Sequence, residues 1–156
     1  MGHNISGLIA EIEVLSEYAV SKELHSPIKL KEKLGFLPLS DNHLDFLFSE
    51  QHNLDQGLIY LSEELKQEIA GISVRCAVIY IETDYWGGTG TQGATIYKDR
   101  KCIFGPKVGE IGPISEALRI IGFQSKSKDQ DEFEAFGLNK FRDNDDWIEA
   151  YKKKRD

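Results

Sequence analysis

With 156 residues, 40% of them hydrophobic and 29% charged, the chain has the length and composition of one packed domain, not of a disordered or fibrous polymer. No apolar run approaches the roughly 20 residues that cross a bilayer as a helix, and residues 1–10 lack the basic start of a signal peptide. The net charge of −7 argues against a basic nucleic-acid-binding face and suits docking onto a basic protein. The expectation is a single cytoplasmic domain over residues 1–156.

In chain order, residues 3–10 read as an opening strand. Ile12, Leu15, Tyr18 and Ala19 recur at helical spacing over 11–22, and Ser26-Pro27 breaks the pattern. Residues 30–34 read as an amphipathic helical turn ending at Gly35, and 36–39 as a short extended piece, because Pro38 lacks a donor. Ser40 and Asp41 suit a helix start, with Leu44, Leu47 and Phe48 following at helical spacing. Leu58, Leu61, Leu65 and Ile69 form the clearest amphipathic helix, closed by Gly71. Residues 74–81 are the strongest strand, apolar on both parities over 77–81, as a strand covered on both faces would be.

Beyond that strand the chain becomes unusual. Glu82, Thr83 and Asp84 read as a polar corner. Tyr85 and Trp86 follow, and then glycines at 87, 88, 90 and 93 with Gln92 among them. Two residues suffice for a tight hairpin, so 87–93 reads as a long Gly-rich loop that uses glycine for positive φ. Residues 88–93 match the spacing GxGxxG of a dinucleotide site. The segment that follows, 94–98, is strand-like, so the helix N-terminus that would hold a phosphate is missing. Asp99-Arg100 reads as the turn to a strand over 101–104 that ends at Gly105-Pro106. Residues 114–121 form a short helix capped by Gly122, and 124–132 a polar surface loop. A last helix over 145–152 starts at Asp143 or Asn144, its acidic start and basic end matching the helix dipole.

The chemistry-bearing residues are few. Glu82 and Asp84 lie two apart, on one face of a strand, where paired carboxylates serve as acid and base or hold a metal; turn chemistry is the plainer account. His3, His25, His43 and His52 are scattered and match no metal spacing. Cys76 and Cys102 sit in strand-like runs, as packing thiols or as a disulfide between neighbouring strands. No catalytic set, metal set or cofactor signature is expected. The C-terminal segment is acidic and aromatic: Asp129, Asp131, Glu132, Glu134, Asp143, Asp145, Asp146 and Glu149 stand against Lys140 and Arg142, with Phe133, Phe136, Phe141 and Trp147 between them. Such a mixture fits a surface that grips a basic partner, and equally a helix with aromatics inward and acids outward.

The segment 81–94, IETDYWGGTGTQGA, resembles one in an uncharacterised family of small bacterial proteins: strand, acid, aromatic pair, Gly-Gly, Gly, Gln, small residue, strand. The opening 3–10 and the segment from Ala135-Phe136-Gly137-Leu138 to Asp146-Trp147 are similar to it too. The resemblance carries no catalytic residue. The family's role is unknown; the small size and acidic charge are those of bacterial proteins of the toxin-immunity type, which neutralise a toxin domain by binding it.

The sequence therefore predicts an α+β fold, with a mixed or mainly antiparallel sheet packed by several short helices. The expected function is an acidic protein-binding module that covers the basic active site of a toxin domain, with no nucleic acid, membrane or cofactor involved. Tyr85 and Trp86 would be anchors and Glu82, Asp84, Asp143, Asp145 and Asp146 charges, beside the loop carrying Gly87, Gly88, Gly90, Gln92 and Gly93. The alternative is a small-ligand binder or enzyme built on loop 87–93 with Glu82 and Asp84.

Overall fold

The run Val78–Trp86 (β5) is the axis of the fold, because its apolar residues alternate between two separate cores. Val78 and Tyr80 enter one core and Ile79 and Ile81 the other, as a pleated strand buried on both sides requires. The computed structural model describes residues 2–39, 61, 63–86, 89–140 and 142–155. The helix expected from Ser40 and Asp41 through Leu44, Leu47 and Phe48, the start of the next helix at Leu58, and His43, His52, Gly87, Gly88 and Phe141 lie outside the described residues.

Before β5 come β1 (Gly2–His3), β2 (Ser6–Glu11), α1 (Ile12–Ser21), β3 (Ile28–Lys31), β4 (Leu34–Pro38) and α2 (Glu63–Ile72). After it come β6 (Thr89–Lys98), β7 (Lys101–Gly109), α3 (Pro113–Ile120), α4 (Glu132–Phe136) and α5 (Asn144–Arg155). The strands form one sheet in the order β3-β4-β2-β5-β6-β7, with β1 pairing β5 beyond the end of β2, and every ladder is antiparallel. The fold is α+β, as expected. On one face, α1 and α2 supply Val14, Leu15, Ala19, Leu65 and Ile69 to the core. On the other, α3, α4 and α5 supply Ile114, Ala117, Leu118, Phe136 and Trp147. Trp147 is 1% exposed and meets Phe36 edge to face, ring centroids 5.4 Å apart.

Four local expectations are corrected. Residues 30–34 are no helical turn: they leave β3, turn and enter β4, where Leu34 and Phe36 pair with Lys31 and Ile28. Residues 74–77 precede the strand instead of opening it. Glu82, Thr83 and Asp84 form no corner, because β5 runs straight through them to Trp86. Local bonding explains why: Tyr80 donates to Glu82 at 2.8 Å, and Thr83 Oγ1 accepts from the Ile5 amide at 2.9 Å. β7 continues through Gly105-Pro106 to Gly109. It pairs only with β6, so the missing proline donor needs no partner on the outer side. The β6–β7 turn is as read, Asp99 and Arg100 both taking positive φ (53° and 68°), as the twist of a two-residue hairpin demands.

Candidate functional site

The ladder of β5 with β6 shortens the Gly-rich segment to a hairpin tip. Tyr85 pairs with Gly90 and Trp86 with Thr89, so two residues, 87 and 88, separate the strands. The long loop expected over 87–93 is therefore not there. Gly90, Gln92 and Gly93 are strand residues opposite Tyr85, Thr83 and Glu82. As extended strand residues they do not form the concave run of amides that would hold an anion. The strand after Gly93 runs on to Lys98 with no helix, so the dinucleotide reading has no place to put a phosphate. Gly90 has a backbone reason to be glycine: its φ is +151°, and a Cβ there would lie 2.1 Å from the Asp84 carbonyl oxygen.

Pleating separates the aromatic pair. Trp86 is 75% exposed and shares the parity of Tyr80, Glu82 and Asp84. Its ring lies over β1, where a Cβ on Gly2 would come within 2.9 Å of Trp86 Cε3. Tyr85 projects to the opposite face and is half-buried. Its hydroxyl accepts from Gln92 Nε2 at 3.0 Å and donates to the Glu110 carbonyl at 2.5 Å, while Gln92 Oε1 accepts from the Ile114 amide at 2.8 Å. Tyr85 and Gln92 thus clamp the segment between β7 and α3 onto the sheet. Burial holds the Tyr85 phenol above its usual pKa, the Gln92 bond opposes this, and the charges of Asp131 and Glu110 add to it. At neutral pH Tyr85 is a neutral donor.

Glu82 and Asp84 share a face but not an environment. Glu82 is 8% exposed and bonded by Tyr80, whereas Asp84 is exposed. Among the described residues no group of three or more His, Cys, Asp or Glu side chains could hold a metal ion. Cys76 and Cys102 are both free thiols, Cys76 half-buried and Cys102 exposed. Burial raises the Cys76 thiol, which disfavours the nucleophilic thiolate. His3 is structural: its ring bonds Thr83 Oγ1 at 2.8 Å and the Leu138 carbonyl at 3.2 Å, and packs against Phe133.

The C-terminal acids come to the same end of the sheet. Asn4, next to β1, forms a parallel bridge with Asp143 and donates its amide to the Arg142 carbonyl at 2.6 Å. β5, β1 and residues 142–143 thus lie side by side, placing Asp143 about 10 Å from the β5 backbone, two strand spacings away. Asp143 caps α5, its Oδ1 accepting from the Asp146 amide at 2.8 Å. Asp143, Asp145 and Asp146 are exposed. Asn144 has a role the sequence does not announce. It is buried, accepts from the Ser6 amide at 3.0 Å, and donates to Ser6 Oγ and the Leu39 carbonyl, each at 3.1 Å.

Sequence reading also misses a cavity of about 440 Å³ on the Tyr85 side of the hairpin. Tyr85, Thr89, Gly90, Gln92, Glu110, Ile111, Asp131, Phe133 and Glu134 line it. Asp131, Phe133 and Glu134 stand out in sequence as part of the acidic, aromatic segment. Glu110 does not, because only the Tyr85 clamp brings it across the sheet. No helix among the described residues is long and apolar enough to cross a membrane. Comparisons with family models, curated proteins and solved structures give no match.

Proposed function

We propose that the chain is an acidic protein-binding module that docks onto a basic protein. Its most concrete form is an immunity protein of the cytoplasm that neutralises a bacterial toxin domain by covering the toxin's basic active site. The observation that carries this reading is Trp86: a large aromatic, 75% exposed, held on a strand instead of a flexible loop. Covering such a side chain is worth about 1.5–3 kcal/mol, and tryptophan is among the residues that dominate binding when a partner buries them. Asp84, two residues before it on the same side of β5, and Asp143, Asp145 and Asp146 at the same end of the sheet, put negative charge at the end of the molecule that carries Trp86. A charge of −7 favours encounter with a basic partner and disfavours acidic ones.

The toxin part has its own test. The basic protein that the chain captures is expressed in a bacterium alone, and then together with this chain. Arrested growth in the first case and restored growth in the second is the expected result. A partner that leaves growth untouched overturns the toxin assignment and leaves a protein-binding module of another purpose.

A further inference from the structure

We infer that the cavity under the β5–β6 hairpin receives one basic side chain of the partner, arginine in preference to lysine. This rests on the protein-binding reading above and adds a second contact on the face opposite Trp86. The cavity volume, about 440 Å³, lies within the range of small-molecule sites. Two of its walls are aromatic, Tyr85 and Phe133, and three carboxylate residues line it: Glu110, Asp131 and Glu134. None of its described lining residues is basic, and no described lysine or arginine pairs with those three acids. Aromatic faces with uncompensated carboxylates suit a cation, and a planar guanidinium stacks on rings and bonds carboxylates better than an ammonium does.

The cavity is also preformed. Tyr85 is fixed by Gln92 and by the Glu110 carbonyl. Phe133 is backed by the His3 ring, centroids 5.5 Å apart, and its amide bonds Ser115 Oγ at 3.1 Å. Asp131 is held as the cap of α4, its Oδ1 accepting from the Glu134 amide at 3.0 Å. A wall that need not be ordered on binding loses less affinity to entropy.

The test uses the whole chain, labelled with ¹⁵N, and ethylguanidinium as the probe, with neutral N-ethylurea as its control. Ethylguanidinium is expected to shift the amide signals of Gly90, Ile111 and Glu134 saturably, and N-ethylurea to leave them in place. A Glu110→Gln/Glu134→Gln variant, whose remaining spectrum reports an intact fold, should bind the probe about tenfold more weakly. Shifts that do not saturate, that N-ethylurea reproduces, or that persist equally in the variant would overturn the inference. The titration needs no partner, so its failure removes the cavity and leaves the protein-binding reading standing. Failure of the wild-type chain to capture a basic protein removes that reading, and with it the partner as the source of the cation.

Discussion

Tyr85 and Trp86 are adjacent in the chain and perform different tasks, because the pleat sends them to opposite faces. Trp86 is 75% exposed with its ring over β1, so Trp86→Ala should change unfolding free energy by no more than about 0.5 kcal/mol, read from urea unfolding. A larger loss would mean that the ring belongs to the fold and not to an interface. Gly90 is the opposite case. Its positive φ and the nearby Asp84 carbonyl leave no space for a side chain. Gly90→Val should cost at least about 2 kcal/mol in the same measurement. A variant of unchanged stability would show that the hairpin end relaxes freely.

At the scale of elements, α4 and α5 pack through Phe136 and Trp147, and each also carries a buried polar tie. Asn144 links the first turn of α5 to Ser6 and Leu39 in a buried setting. Asn144→Ala leaves those groups without partners and should destabilise by about 1–3 kcal/mol; a cost below that would mean that water replaces the amide. Glu132 ties α4 to α3 and the segment between them, accepting from the Ser125 amide at 2.9 Å and pairing with Arg119 at 2.5 Å. The Ser125 amide above all, opposed by burial and helped by Arg119, holds its carboxyl below the ordinary glutamate value. A lowered folded pKa means stability that is present above the unfolded value, about 4.3, and lost as pH falls through the folded one. The stability gap between wild type and Glu132→Gln should thus be full at neutral pH and shrink in acid, which unfolding curves across that range would show. A gap independent of pH would contradict the role given to the carboxylate.

For the whole molecule, the sequence is most legible where periodicity is strong. Helices α1, α2 and α3 and the central position of β5 follow from the pattern of apolar residues, and α5 from its capping residues and its acidic start and basic end. The β5–β6 hairpin is misread because polar residues and glycines ordinarily end strands, whereas here Glu82 is bonded by Tyr80 of its own strand, Thr83 by the Ile5 amide, and Gly90 and Gly93 stay in the ladder. The cavity is invisible in sequence because Glu110 reaches Tyr85 only through pairing across the sheet, and Asn144 because its partners, Ser6 and Leu39, lie more than 100 residues earlier. Net charge is legible at once, but only the fold shows that Asp84, Trp86 and the acids of α5 share one end of the sheet. The most direct measurement is capture from a lysate of the source cells, with wild-type chain and Trp86→Ala side by side under rising salt. The account predicts one basic protein retained by the wild type, lost from the variant and released as salt screens the charges. A catch that is identical for the two chains, or none for either, would contradict it.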